Sequence, residues 1–188
     1  MRNPRFTPMV ARLLTLGVTA FLAVATPRPV VGQSLNATVV LPGFRGVVRM
    51  DTISIVPTAV RGAPGPVFAA LRRALDSLGV EAAVADAAAG LIGNLGLKAT
   101  RRFAGKQMST WIDCGIGHTG PTANAYRVHL AILAGVAANK DGGSSVRIAI
   151  AAGAQSFSGP LGDPIACEST GAIERRLLDL VRASVGGG

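Results

Sequence analysis

The sequence predicts an exported α+β domain: an antiparallel sheet of about five strands, two helices packed on one face, and one disulfide. Three observations predict it. Apolar and polar residues alternate in paired segments separated by Gly- and Asn-containing turns, the period-two signature of antiparallel strands. Two further stretches repeat apolar residues every three or four positions, so each makes a helix with one apolar stripe. Stripes of this kind are buried economically on one face of an antiparallel sheet. Finally, the two cysteines, Cys114 and Cys167, follow a secretory-type leader, and in an oxidising compartment such a lone pair joins.

The leader is read from Arg2, Arg5 and Arg12, an apolar run from Leu13 to Val24, and Ala23-Val24-Ala25 as the small-residue cleavage rule. A second cleavage site, after Gly32, also fits. The apolar run is too short for a stable membrane span, and no cysteine near it offers a lipid-anchor site. The expected organisation is a signal peptide over 1–25, an irregular lead-in over 26–46 and a single α+β domain over 47–188, exported to the periplasm or secreted. Of 19 basic residues three leave with the leader, so 16 stand against 10 acidic ones, a net charge of +6. Aromatic residues make up only 4% and the cations are dispersed, which together with export argues against nucleic acid as a partner. An envelope protein or a lipid surface remains.

In chain order, Pro27, Pro29, Pro42 and several Gly break any period in the lead-in, where Asn36-Ala37-Thr38 also matches a glycosylation sequon, a pattern too short to weigh. Ile53 and Ile55 alternate with Thr52 and Ser54, predicting a strand over 47–56 that Pro57 ends; 61–65 is a loop. Pro66 opens a helix with Val67, Phe68, Leu71, Ala74, Leu75 and Leu78 on one side, and Gly79 stops it. Strands over 80–86 and 91–101 follow, joined near Ala89-Gly90, with Gly93 and Gly96 leaving room for a close neighbour. The longest alternations, over 126–138 and from Val146 through Ile150, flank Asn139-Lys140-Asp141-Gly142-Gly143 and predict a long hairpin. Ser169 or Thr170 then caps a helix striped by Ile173, Leu177, Leu180, Val181 and Val185.

A partial resemblance rests on Phe68-Ala69-Ala70-Leu71 through Leu78-Gly79-Val80, then Asp86 and Gly90-Leu91-Ile92. These residues resemble the helix-plus-hairpin unit of small periplasmic and outer-membrane lipoprotein domains of the outer-membrane assembly type, without their anchor cysteine. The resemblance implies a non-enzymatic envelope module.

The rare residues gather in Ser109-Thr110-Trp111-Ile112-Asp113-Cys114-Gly115-Ile116-Gly117-His118-Thr119-Gly120, which holds the only Trp, one of two Cys and one of two His. Its G-x-G-x-x-G spacing needs a following helix to cradle a pyrophosphate, and Pro121 with the strand beyond it argues for a tight turn and no nucleotide cofactor. Asp113 and His118 are the candidate pair for an alternative function, a small secreted hydrolase, with Ser109 or Ser169 as nucleophile; neither serine sits in a G-x-S-x-G turn, and Asp113 equally suits a turn cap. A metal site from His118, His129, Asp113 and Cys114 fails on spacing and on the pairing of Cys114. Lys98, Arg101, Arg102 and Lys106, around Phe103, form the densest basic cluster and the candidate anion-binding surface; a charged edge that blocks strand-to-strand aggregation is the alternative. Trp111 is expected to anchor the core beside the disulfide.

Overall fold

The computed structural model describes residues 35, 37–50, 53, 56–157 and 164–187. The leader, the sequon's Asn36 and most of the alternation at 51–55 lie outside the described residues. The chain runs β1 (Thr38–Val39), β2 (Val48–Arg49), β3 (Thr58–Val60), α1 (Pro64–Ser77), β4 (Val84–Asp86), β5 (Leu91–Thr100), β6 (Arg102–Phe103), β7 (Lys106–Gln107), β8 (Ile112–Asp113), β9 (Ile116–Gly117), β10 (Gly120–Pro121), α2 (Thr122–Ala125), β11 (Arg127–Ala138), β12 (Ser144–Gln155), β13 (Ile165–Ser169) and α3 (Ala172–Gly186).

The β11–β12 hairpin is the spine. Its twelve pairs run without interruption from Arg127↔Gln155 to Ala138↔Ser144. Around it the sheet is ordered β7-β6-β5-β11-β12-β13-β8, with β3 also on β12 and β4 also on β5, all antiparallel. The turn works as its residues require. Asn139 N–H reaches Gly143 O at 2.8 Å, Asn139 Nδ2 donates to Ser144 O at 3.0 Å, and Gly142 takes φ +79°, a conformation that costs glycine little.

The alternation of the two long strands divides the core into two layers. Val128, Leu130, Ile132, Val136, Val146 and Ile148 face α1 through Val67, Leu71 and Leu75, and α3 through Ile173, Leu177 and Val181. Their alternates, Ala131, Leu133, Ala149 and Ala151, lie under Leu35, Val39, Leu41 and Met50 from the N-terminal stretch. Each Leu or Ile fully buried in either layer contributes about 1.5–3 kcal/mol.

Nine linked strands among the described residues replace the expected five or so, and three helices replace two. The extra strands β3, β6, β7, β8 and β13 are two to five residues long, too brief for alternation to register, and α2 is a single turn. β3 fills the three positions between Pro57, which ends the expected strand, and the expected loop at 61–65.

The second layer belongs to 35–50, within and just after the stretch read as an irregular lead-in. Two glycines receive it. A Cβ on Gly135 would stand 2.7 Å from Leu35 Cδ2, and one on Gly153 would collide with the edge of the Phe44 ring at Cε2 and Cζ. Gly93 behaves as expected, lying against Ile132 O, whereas a Cβ on Gly96 would make only ordinary contact with Asn94 Oδ1 at 3.9 Å. Gly96 sits instead in a bulge: Leu97 pairs with Leu130 but Asn94 with Ile132, so β5 carries one extra residue. Asn94 holds this bulge, accepting from Gly96 N–H at 2.9 Å and donating to Glu81 O at 2.8 Å.

Candidate functional site

The segment rich in rare residues folds into the sheet's far edge. β8 pairs with β13 through Glu168↔Asp113 and Ser169↔Ile112, and the same register places Cys114 opposite Cys167. Their sulfurs are joined, with Cα atoms 4.3 Å apart. Thr170 prolongs the contact, its N–H reaching Trp111 O at 3.1 Å and its hydroxyl donating to Thr110 O at 2.8 Å. Trp111, buried, donates from Nε1 to Phe103 O at 2.8 Å and meets the Phe103 ring edge-on at 6.1 Å. It is the anchor beside the disulfide that its rarity suggested.

The residues that would make a hydrolase are dispersed, and three of the four hold local structure. Asp113 is exposed, and its Oδ1 accepts Gly115 N–H at 2.8 Å, a carboxylate capping its own turn. His118 stands exposed at the tip of the β9–β10 hairpin, where Gly117 pairs with Gly120. No hydrogen bond joins it to Asp113 among the described residues. Ser109 is engaged with Asn124, which accepts its N–H at 2.9 Å and donates to its hydroxyl at 2.9 Å. Ser169 donates to Glu174 Oε2 at 2.9 Å and accepts Gly171 N–H at 3.1 Å, serving the start of α3. Behind Gly115–Gly120 comes only the four-residue α2.

The basic residues are regrouped by strand register. Directly paired residues share a sheet face, so Thr100↔Arg127, Thr100↔Arg102 and Arg102↔Gln107, with Arg127↔Gln155, make one polar row of five strands: Gln155, Arg127, Thr100, Arg102, Gln107. Lys98, paired with His129, stands in the next row on the same face. Lys106 does not join them. Its partner is Phe103, on the helix side of the sheet, and its ammonium lies 5.7 Å from the Trp111 ring centre. Arg101 occupies the turn between β5 and β6 at φ +59°, a left-handed conformation that costs a non-glycine residue about 1 kcal/mol or more. The expected four-cation cluster is thus divided, and Arg127, absent from it, is central to the face.

Arg127 is further placed by Phe157, half exposed, whose ring centre lies 5.3 Å from the guanidinium carbon. Arg102 donates to Gly105 O. Among the described residues no carboxylate forms an ion pair with Lys98, Arg101, Arg102, Lys106 or Arg127. Beside the row, His129 is buried opposite Gly153, and its Nε2 has no partner. Burial holds its pKa below the usual 6.5; a hydrogen bond with Gln155 opposes this, and the charges of Lys98 and Arg127 add to the lowering.

The grooves that border the described residues include three of about 450, 300 and 210 Å³. None of these three is lined by Asp113, His118 or the basic row. The largest of the three runs between Val56, Thr58 and Ile148 on the sheet and Glu174, Arg175 and Leu178 on α3. Among the described residues no three His, Cys, Asp or Glu side chains gather as a metal site would require, and no helix is long and apolar enough to cross a membrane. No family model, no curated protein and no solved structure matches the chain.

Proposed function

We propose that the chain is a non-enzymatic binding module of the cell envelope, periplasmic or secreted, whose contact surface is the basic end of its sheet. The observation that carries this reading is the gathering of Lys98, Arg102 and Arg127 on one sheet face, where among the described residues no carboxylate forms an ion pair with them. Clustered, unpaired cations raise the local concentration of anions and steer acidic partners to the surface. The export expected from the leader agrees with the cross-strand disulfide, which forms in oxidising compartments.

The competing reading, a hydrolase built on Asp113 and His118, is separated by one substitution. His118→Ala is expected to leave stability within about 0.5 kcal/mol, as at other exposed positions, and to change no turnover in a screen of ester, phosphate and glycoside substrates. A general base would show a loss of roughly a hundredfold or more. Any His118-dependent activity of that size overturns the binding-module reading.

A further inference from the structure

We infer that the Lys98–Arg102–Arg127 face docks on the phosphate headgroups of an anionic phospholipid surface; this rests on the binding-module reading and names its partner. The shape of the site argues for a plane. The three cations lie across three neighbouring strands, with Thr100, Gln155 and Gln107 in the same row, and none of them lines any of the three grooves. A row of this kind, one residue per strand across a sheet face, spreads its charges wider than a single phosphate ester. An extended layer of headgroups would meet all three charges together.

Apolar side chains flank the cations on the same side of the sheet. Phe157 is 52% exposed and stacks on Arg127. Val40 and Val47 are 65% and 62% exposed; continuing the pairing of β1 with β2 puts them opposite each other, pointing away from the sheet that Val39 and Leu41 enter. They sit within four residues of Gly43, whose Cβ position lies against the Gln155 side chain at the end of the basic row. Cations that meet phosphates beside apolar side chains that enter the acyl boundary are the two terms of interfacial binding. The opposite side of the sheet is itself covered by α1 and α3, whose outer surface mixes Arg72, Arg73, Arg175, Arg176 and Arg182 with the acidic Asp76, Glu174 and Asp179.

The test is partitioning of the chain, as isolated from the exported fraction, onto vesicles of phosphatidylcholine alone and of phosphatidylcholine with phosphatidylglycerol in a two-to-one mixture. Each Lys or Arg near an anionic bilayer strengthens partitioning about fivefold, so Lys98→Ala, Arg102→Ala and Arg127→Ala together should lower it on the order of a hundredfold. A control with Arg61→Ala, Arg72→Ala and Arg176→Ala, equal in charge but on other surfaces, should stay within about twofold of the parent. If the triple variant does not fold, Arg102→Ala alone carries the test with a fivefold loss expected, about the value for one cation. No preference for the anionic vesicles, or an equal loss in the control, overturns the inference. So does complete release by inorganic phosphate at constant ionic strength, which would mark an ion site and not a surface. Absence of vesicle binding without His118-dependent turnover removes the lipid partner and leaves the binding-module reading standing; His118-dependent turnover removes that reading itself.

Discussion

Gly153→Val tests whether residues 35–50 are seated on the sheet as a strap. The added Cβ would collide with the edge of the Phe44 ring, with Cζ at 2.8 Å and Cε2 closer still, and the two valine methyls need the rest of that space. Phe44 must swing out. Burying a whole Phe side chain is worth about 1.5–3 kcal/mol, and Phe44 is only partly buried, so its loss should cost about 1–2 kcal/mol. The higher strand propensity of valine returns a few tenths of that. Urea unfolding should show the fall in stability. Amide exchange should localise it: Phe44 N–H, bonded to Leu41 O at 3.1 Å, and Met50 N–H, bonded to Ala37 O at 2.8 Å, should exchange about 5–30 times faster, the factor for 1–2 kcal/mol. Phe44→Ala makes room, so Gly153→Val should cost almost nothing in that background. An equal cost in both backgrounds would refute the seating of Phe44 over Gly153.

Cys167→Ala opens a loop whose ends are 53 positions apart; the chain-entropy estimate is a loss of about 4 kcal/mol in urea unfolding, and a loss below about 1 kcal/mol would show that the denatured chain keeps β8 and β13 together. His129 titrates below 6.5 in the folded chain, so the unfolded state binds the extra proton first. Its contribution is therefore complete above pH 6.5 and is lost as pH falls from there toward the folded value; His129→Leu should flatten that part of the stability–pH curve, and an unchanged slope would reject the assignment. Protein recovered from the exported fraction should begin near Thr26 or Gln33 by N-terminal sequencing, and Met1 on it would reject the leader.

The parts legible in the sequence are those whose pattern is long or local. Twelve-residue strands joined by Asn139 to Gly143 leave little freedom in reading β11 and β12, and stripes of Leu and Val four residues apart mark α1 and α3. The lone cysteine pair needs only a compartment. What stayed hidden depends on residues far apart in sequence. Leu35, Val39, Leu41 and Phe44 show no period because their partners are gaps at Gly135 and Gly153, seen only once the hairpin is built. The basic cluster misled because sequence nearness counts faces wrongly: Arg102 and Phe103 are consecutive, so Phe103 and its partner Lys106 fall on the helix side while Arg127 arrives from another strand. The sequence of β11 shows its alternating in-and-out positions, but which neighbours flank Arg127 is a matter of register.

The two-sided burial of the central hairpin has a consequence for how the chain reaches this state. The hairpin closes through near neighbours, the quickest kind of contact to form. Its covers do not: one is the first described stretch of the chain, and the other joins α1 to α3, the last element. The strap's Leu35, Leu41 and Phe44 are synthesised well before the alanines and glycines they will rest on, and α3 follows after the sheet is complete. Until β12 exists neither cover has its full surface to settle on, so an incomplete chain carries bare apolar side chains at its leading end. That favours a folding reaction that waits for nearly the whole chain and then closes both layers together, and it makes shortening either end uncover apolar surface on the same two strands.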